Sequence, residues 1–430
     1  MIRDPGSTSQ RSNRDPHLSA FLTARGAPPP LALARGRRCA ALPSGRSLGP
    51  QALIASLFAI TLLHASGQDP RLSIKAPTET TYVAGEVLLV AAVEPAAAAR
   101  DVVDVTFFAD GAKVCAVTST PFECPWDAGA RIRPRQIRVV ATLKTGGRLV
   151  QTVTTRELEK YVENVDVNVV PVTVVVTDDR GRFVEGLKQK DFEIKEDGVP
   201  QKISSFWDRH SPLELVTAID VSSSVTDALP AMRSAAVRFL GGLEPTDQAT
   251  VVGFNDTIYT LARRSTDQTM RERAIGRLRP WGGTALYDAI VQSIEGLSKQ
   301  TGGRTALILF TDGDDQNSHA PLETAIAQVE ASDAMIYAVG QGRAVHVKNL
   351  QKLLEQIATT SGGRAFFAAT PAKLDEIFAE ILDDLHHQYL LSYPAPDDQR
   401  DGKYHKVTVT VSGGKYHVRA RQGYRFVRKH

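Results

Sequence analysis

Leu213-Glu-Leu-Val-Thr-Ala-Ile-Asp-Val-Ser-Ser-Ser224 marks a change in the grammar of the chain. A short apolar run ends on a carboxylate and then on a cluster of hydroxyls. Strands this apolar are buried on both faces, which happens when helices cover each side of a parallel sheet. Downstream, similar runs recur at Ala249–Phe254, Ile258–Leu261, Thr305–Phe310, Ala334–Val339 and Ala365–Ala369. Helix-length amphipathic stretches lie between them, near 230–241, 284–299, 321–332, 349–360 and 371–387. Strand alternating with helix predicts a doubly wound α/β domain with a mostly parallel sheet over residues 211–388.

Ligands of such sheets sit beyond the carboxyl ends of the strands, where the strand order reverses. The first run ends in Asp220-Val-Ser222-Ser-Ser224, and the fourth in Phe310-Thr-Asp312-Gly-Asp-Asp315. With strand order 3-2-1-4-5-6 these two ends are neighbours. Gly282-Gly-Thr284 precedes the second helix, and its glycines allow close backbone approach. Asp220, Ser222, Ser224, Thr284 and Asp312 supply two carboxylates and three hydroxyls. All are hard oxygen donors, which suit Mg²⁺, Mn²⁺ or Ca²⁺, with no Cys or His to favour zinc. Neutral hydroxyls leave much of a cation's charge uncancelled, so an open position would attract an external carboxylate. Without a cation, the two carboxylates repel each other.

Asp-x-Ser-x-Ser at 220–224, Thr284 in Gly-Gly-Thr-Ala-Leu-Tyr-Asp-Ala, and Asp312 in Phe-Thr-Asp-Gly resemble the metal-ion-dependent adhesion site of von Willebrand factor A domains. The resemblance implies that Ser222, Ser224 and Thr284 touch the metal. Asp220 and Asp312 act directly or through water, and a partner's Asp or Glu takes the sixth position. The flanks extend the likeness over roughly 165–428. Val172-Thr-Val-Val-Val-Thr-Asp-Asp-Arg-Gly181, Gly186-Leu187, Glu196-Asp-Gly-Val-Pro-Gln-Lys-Ile203, Tyr389-Leu-Leu-Ser-Tyr393 and Val418-Arg-Ala-Arg-Gln-Gly-Tyr424 are similar to the "VWFA-related" proteins of acidobacteria.

Residues 70–160 hold short β-branched runs separated by turn signals such as Asp110-Gly111 and Gly146-Gly147, with no helical stretch between them. This predicts an all-β sandwich of Ig-like size. Residues 165–210 read as a β linker unit, and 389–430 as a C-terminal β extension. The tail residues Tyr416, Arg419, Arg421, Tyr424 and Arg425 alternate as a strand with an exposed basic face. Cys115 and Cys124 flank a turn-like stretch, so a disulfide across a hairpin is expected in an oxidising compartment.

The chain has 430 residues, 51 basic and 48 acidic. Its charge is uneven: residues 1–50 carry eight Arg and two Asp, whereas the remainder is mildly acidic. That balance offers no nucleic-acid footprint. Residues 1–45 form a basic, Pro- and Gly-rich head expected to be disordered. Residues 46–68 pair Arg46 with the apolar stretch 52–63 and small residues after it, the pattern of a signal peptide or anchor. Export to the periplasm, cell surface or medium is the expectation. Membrane contact follows only if the segment stays uncleaved. No Met stands between Met1 and Met232, so a non-Met start near residue 45 is expected, with the head an artefact.

Rival readings are weaker. Asp312, Asp314, Gln316, Ser318 and Glu323 follow calcium-loop spacing, but Asn317 stands where the turn glycine belongs. Asp314 and Asp315 read as loop charges, and Thr284 as an alternative helix cap. His386 and His387 point about 100° apart on a helix and offer no shared metal face. The chain carries no signature of a hydrolase elbow, a zinc protease or a phosphate loop. A Mg²⁺-dependent phosphotransferase using Asp220 would want a second carboxylate where Ser222 stands. The expectation is a binding protein and not an enzyme, with a metal-independent envelope scaffold as the alternative.

Overall fold

The computed structural model describes residues 69–157, 169–208, 211–297, 303–395 and 402–425. The basic head, the segment 46–68 expected to be a signal peptide or anchor, and the first residues of the 165–210 unit lie outside the described residues. Among the described residues, no helix is long and apolar enough to cross a membrane.

The N-terminal part is a sandwich of seven strands: β1 (Arg71–Ala76), β2 (Glu86–Glu94), β3 (Val102–Ala109), β4 (Ala112–Val117), β5 (Phe122–Asp127), β6 (Gln136–Leu143) and β7 (Arg148–Thr154). Its sheets run β1-β2-β5 and β4-β3-β6-β7. Period-two alternation builds the core: Ile137, Val139 and Ala141 of β6 are buried and meet Val87 and Leu89 of β2. The sequence reading lacks β5. Pro125 disguises it, and Pro is tolerated there because β5 lies at a sheet edge. Cys115 on β4 and Cys124 on β5 are bonded. The two strands belong to different sheets, so the bond ties sheet to sheet instead of spanning one ladder.

Four strands follow: β8 (Val169–Asp178), β9 (Phe192–Glu196), β10 (Val199–Gln201) and β11 (Ser205–Trp207). The α/β domain then comprises β12 (Leu213–Asp220), α1 (Leu229–Gly241), β13 (Gln248–Phe254), β14 (Ile258–Ser265), α2 (Gln268–Arg277), α3 (Leu286–Gly296), β15 (Arg304–Thr311), α4 (Leu322–Ala331), β16 (Met335–Gln341), α5 (Lys348–Thr360), β17 (Arg364–Ala368) and α6 (Pro371–His386). The last strands are β18 (Gln388–Pro394), β19 (Tyr404–Val411), β20 (Tyr416–Ala420) and β21 (Gly423–Arg425).

The six-stranded sheet runs β14-β13-β12-β15-β16-β17. This is the 3-2-1-4-5-6 order, parallel except for β14. Its strands are apolar throughout because both faces are covered. Ala306, Ile308 and Phe310 of β15 meet α1, α2 and α6, while Leu307 and Leu309 meet α3, α4 and α5. The sequence reading lacks α2, whose composition is mostly polar. It buries Met270, Ala274 and Ile275 and also the Arg271 side chain, and Asp267 caps it by accepting from the Met270 N–H at 3.1 Å.

The segments on either side of this domain are not a linker and an extension lying apart. They interleave as sheets β10-β9-β19-β21 and β11-β18-β8-β20 around one core containing Val172, Val174, Ile194, Leu391 and Tyr393. The α/β domain is thus inserted between the two halves of a second β sandwich. Arg304, 2% exposed, joins its ends. It donates to the Ser211 carbonyl at 3.0 Å and to the Leu385 carbonyl. The tail arginines correct the expectation of an exposed basic face. Arg419 pairs with Asp384 at 2.5 Å, Arg421 with Asp333 at 2.9 Å and Arg425 with Glu330 at 3.0 Å. They fasten the second sandwich to the inserted domain.

The first sandwich grips the outer edge, β14. Leu88 N–H donates to Asp267 at 2.8 Å, Ala84 N–H to the Thr266 hydroxyl at 3.2 Å, and the Ser265 hydroxyl to the Glu86 carbonyl. Gly85 lies in this seam with φ +60°, and a Cβ there would stand 2.2 Å from the Arg263 and Arg264 carbonyls. Gly85→Ala is expected to destabilise the protein by more than about 2 kcal/mol, combining strain at positive φ with a backbone clash. Chemical denaturation checks this; an unchanged midpoint would show that the seam yields freely.

Candidate metal centre

Register builds the site. β12 and β15 pair in parallel, with Ile219 opposite Phe310. One step further on, Asp220 and Thr311 end their strands side by side. The Thr311 hydroxyl donates to Asp220 Oδ2 at 2.9 Å. The other carboxylate oxygen, Oδ1, accepts from the Ser222 N–H at 2.9 Å. After Asp220 the chain turns through a short 3₁₀ segment at Ser223–Val225. The buried Val225 anchors this turn in the core. Ser222 Oγ and Ser224 Oγ then lie 3.0 Å apart, and the Ser224 hydroxyl donates to Asp312 Oδ1 at 2.9 Å. A continuous chain of oxygens therefore runs from Ser222 through Ser224 to Asp312.

Thr284 arrives on a third loop that backbone bonds stitch to the other two. Ser223 N–H donates to the Gly282 carbonyl at 3.0 Å, and Trp281 N–H to the Val221 carbonyl at 2.9 Å. From the other side, Gln316 and Asn317 N–H groups donate to the Thr284 carbonyl at 2.8 and 3.0 Å. A Cβ placed on Gly313 would lie 4.0 Å from Thr284 Oγ1, so this hydroxyl sits against the Asp312 turn. All five residues read as donors converge on the carboxyl end of the sheet, at the reversal of strand order. Asp220, Ser222, Thr284 and Asp312 are buried, whereas Ser224 is exposed at the mouth.

Thr284 is not the helix cap. α3 begins at Leu286 with Ala285 at its cap position and no side-chain cap. Its first free N–H groups go to the 315–318 loop: Tyr287 donates to Asp315 at 3.3 Å and Asp288 to the Ser318 hydroxyl at 3.0 Å. Of the calcium-loop positions, Ser318 is thus taken up by capping. Asp314 pairs with Arg343 at 2.8 Å. The Thr284 hydroxyl stays available for the crevice.

Sequence reasoning passed over two residues. Thr311 holds Asp220, and its only signal was its place inside Phe-Thr-Asp-Gly. Asp256 accepts from Gly283 N–H at 2.9 Å and from the Asn317 amide. A Cβ on Gly282, at φ +74°, would stand 2.2 Å from Asp256 Oδ2, so the first glycine of the pair is what admits this brace. No local pattern marked Asp256.

Burial pushes the Asp220 carboxyl up to about 6; hydrogen bonds from Ser222 and Thr311 oppose the rise and the nearby Asp312 charge adds to it. Burial likewise raises Asp312, partly offset by Ser224 and by the Arg343 charge. Two carboxylates that resist ionisation beside three hydroxyl oxygens form a site short of positive charge. The residues present fit a hard divalent cation.

A doubly wound sheet whose strand-order reversal carries this oxygen cluster defines an A-type α/β binding domain. Residues 214–380 match the von Willebrand factor type A domain family, and this part of the chain is a von Willebrand factor type A domain. Residues 70–155 match the bacterial Ig domain family, and they precede it as the first sandwich. No curated protein matches the chain. Solved structures similar to it include the von Willebrand factor domain of the type V pilus tip protein Mfa5 from Porphyromonas gingivalis. That similarity has 14% identity and a TM-score of 0.36, covering 40% of this chain and 94% of that one. A von Willebrand factor type A protein from Catenulispora acidiphila is 14% identical with a TM-score of 0.37, over 56% of this chain and 74% of that one. Proximal thread matrix protein 1 from the mussel byssus, with a zinc-occupied adhesion-site motif, is 18% identical with a TM-score of 0.38. That match covers 44% of this chain and 49% of that one.

A carboxyl whose pKa is higher in the fold than in the unfolded chain favours folding fully below its unfolded value. It loses that contribution as pH rises through the folded value. For Asp220 the window runs from 3.8 to about 6. In chelator, Asp220→Asn is therefore expected to be more stable than the parent at pH 7, by about 3 kcal/mol at most, and no more stable at pH 4. Equal gains at both pH values would show that burial does not burden this carboxylate.

Proposed function

We propose that this is an exported bacterial interaction protein. Its A domain holds a divalent cation (Mg²⁺, or Mn²⁺ or Ca²⁺) on Asp220, Ser222, Ser224, Thr284 and Asp312, and through it binds an Asp or Glu side chain of a protein partner. The observation that carries the reading is the line of oxygens from buried Ser222 to Asp312 by way of exposed Ser224. It joins an interior lacking positive charge to the surface. The bound cation supplies that charge and an open position for an external carboxylate. Ser222, Ser224 and Thr284 offer neutral oxygens and so leave charge for the partner. Asp256 and Thr311 hold the loops and Asp220 in place. Trp281, 51% exposed, stands three residues from Thr284 and gives the rim an aromatic contact of the kind that anchors protein interfaces.

The bacterial Ig domain and the Cys115–Cys124 bond support a place outside the cytoplasm. A phosphotransferase finds less support. Ser222 stands where the second carboxylate would act, and Arg343, the cation acting on Asp312, is engaged by Asp314. A scaffold that works without metal remains the alternative function.

Ser222→Ala with Ser224→Ala is expected to weaken Mn²⁺ binding by roughly tenfold or more and to leave the fold intact, as read by calorimetry and circular dichroism. The same variant is expected to lose chelator-sensitive capture of its partner from the native envelope. Capture that persists in the variant and in chelator would favour the scaffold.

A further inference from the structure

A second group of metal-ligating side chains lies outside the A domain, in the second sandwich. Glu196 ends β9, Asp197 opens the turn into β10, and His405 lies on β19. One donor atom from each lies within 4.8 Å of the others. The fold places them there for local reasons. Asp197 and Gly198 have φ of +49° and +85°, the conformation of a two-residue hairpin turn. β9 pairs with β19, with Glu196 opposite Val407, which sets His405 beside the turn. His405 Nδ1 lies 2.9 Å from Asp197 Oδ2.

The surroundings orient all three. Asp197 Oδ1 accepts from the Lys406 N–H at 2.8 Å. Glu196 Oε2 accepts from the Tyr393 hydroxyl at 2.5 Å and the Tyr424 hydroxyl at 2.8 Å. Each carboxylate thus has one oxygen fixed by the protein, as the supporting bonds around metal ligands usually do. Glu196 is 1% exposed, and its second oxygen, Oε1, is buried with no hydrogen-bond partner. A buried carboxylate oxygen left this way is costly and calls for a positive ligand. The Asp197 side chain is half exposed, so the group has an opening to solvent.

We propose that Glu196, Asp197 and His405 form a second divalent-cation site, distinct in chemistry from the A-domain centre. One imidazole nitrogen and two carboxylate oxygens favour zinc or a similar transition ion over Mg²⁺. Binding would require His405 to offer a ring nitrogen free of a proton, and solvent would complete the coordination. The ligands come from both halves of the second sandwich, β9 and its turn before the A domain and β19 after it. The ion therefore clips together the two chain segments between which the A domain is inserted.

The test titrates Zn²⁺, and Co²⁺ as a spectroscopic probe, into the tag-free full chain carrying Ser222→Ala and Ser224→Ala, so that the A-domain centre is weakened and the second site is read against it. The expected result is one equivalent bound, Co²⁺ absorption bands in the visible range, and a melting temperature raised by Zn²⁺. Asp197→Asn keeps the turn, since Asn tolerates positive φ, and Glu196→Gln keeps an acceptor for the two tyrosines. Each is expected to weaken Zn²⁺ binding by roughly tenfold or more while the far-ultraviolet dichroism stays that of the parent. No uptake by the parent would overturn the site and leave His405 as an imidazole held between two carboxylates. Uptake that is equal in both variants would overturn it as well.

Discussion

The parallel register between β12 and β15 is the constraint on which the rest depends. It sets Asp220 against Thr311 at the last rung of the ladder and so fixes a carboxylate inside a wall of apolar side chains. The strands β13 and β16 flank the pair, and Asp220 has no measurable exposure. Everything above it is arranged around that buried acid. The Ser222 N–H and the Thr311 hydroxyl occupy its two oxygens, which is enough to orient the group but not to make its charge comfortable. A slip of one residue would turn Asp220 to the opposite face of the sheet and scatter the oxygens, because side chains alternate strictly along a strand.

Three loops must agree for the cluster to exist, and they agree through backbone bonds more than through side chains. The Ser222 loop holds the Gly282 loop, and the 316–317 segment holds Thr284 from the other side. Asp256 then braces the glycine pair from beneath. This explains why small residues crowd the motif. At Gly282 and Gly283 a Cβ would collide with Asp256, so larger residues would break the stitching before reaching any ligand. The hydroxyl-bearing residues are free to offer oxygen because the main chain has already closed the structure.

The α/β sheet was legible because strands buried on both faces leave an unbroken apolar signal, as in Ala306 to Phe310. The five residues read as donors stand out as a pattern, and the strand order 3-2-1-4-5-6 assumed for them is the order of the sheet. What stayed hidden depended on contacts remote in sequence. Asp256, Asp315 and Ser318 act on backbone N–H groups more than 25 residues away, and nothing local announces that. α2 was masked by its charge, since the Arg271 side chain is buried like an apolar one. Strand β5 was masked by Pro125. The pairing of β8 with β18 and β20 joins residues more than 210 apart, from Gln388 with Val175 to Ala420 with Val174, and period-two patterning identifies strands without naming their partners.

Insertion of the A domain into the second sandwich has a mechanical consequence. Arg304 ties Ser211 to Leu385 at the base, and Arg419 and Arg421 fasten the tail to Asp384 and Asp333. The first sandwich holds the end of β14, through Ser265, Thr266 and Asp267. The base of the sheet and the end of β14 are thus engaged within the molecule by ion pairs and hydrogen bonds. The crest of the sheet, with Ser224 and Trp281 exposed, faces away from these attachments because it is built from the opposite ends of the same strands. The loops of the crest are tied to one another by backbone bonds, and the ordering cost of any binding there falls when the surface is already held.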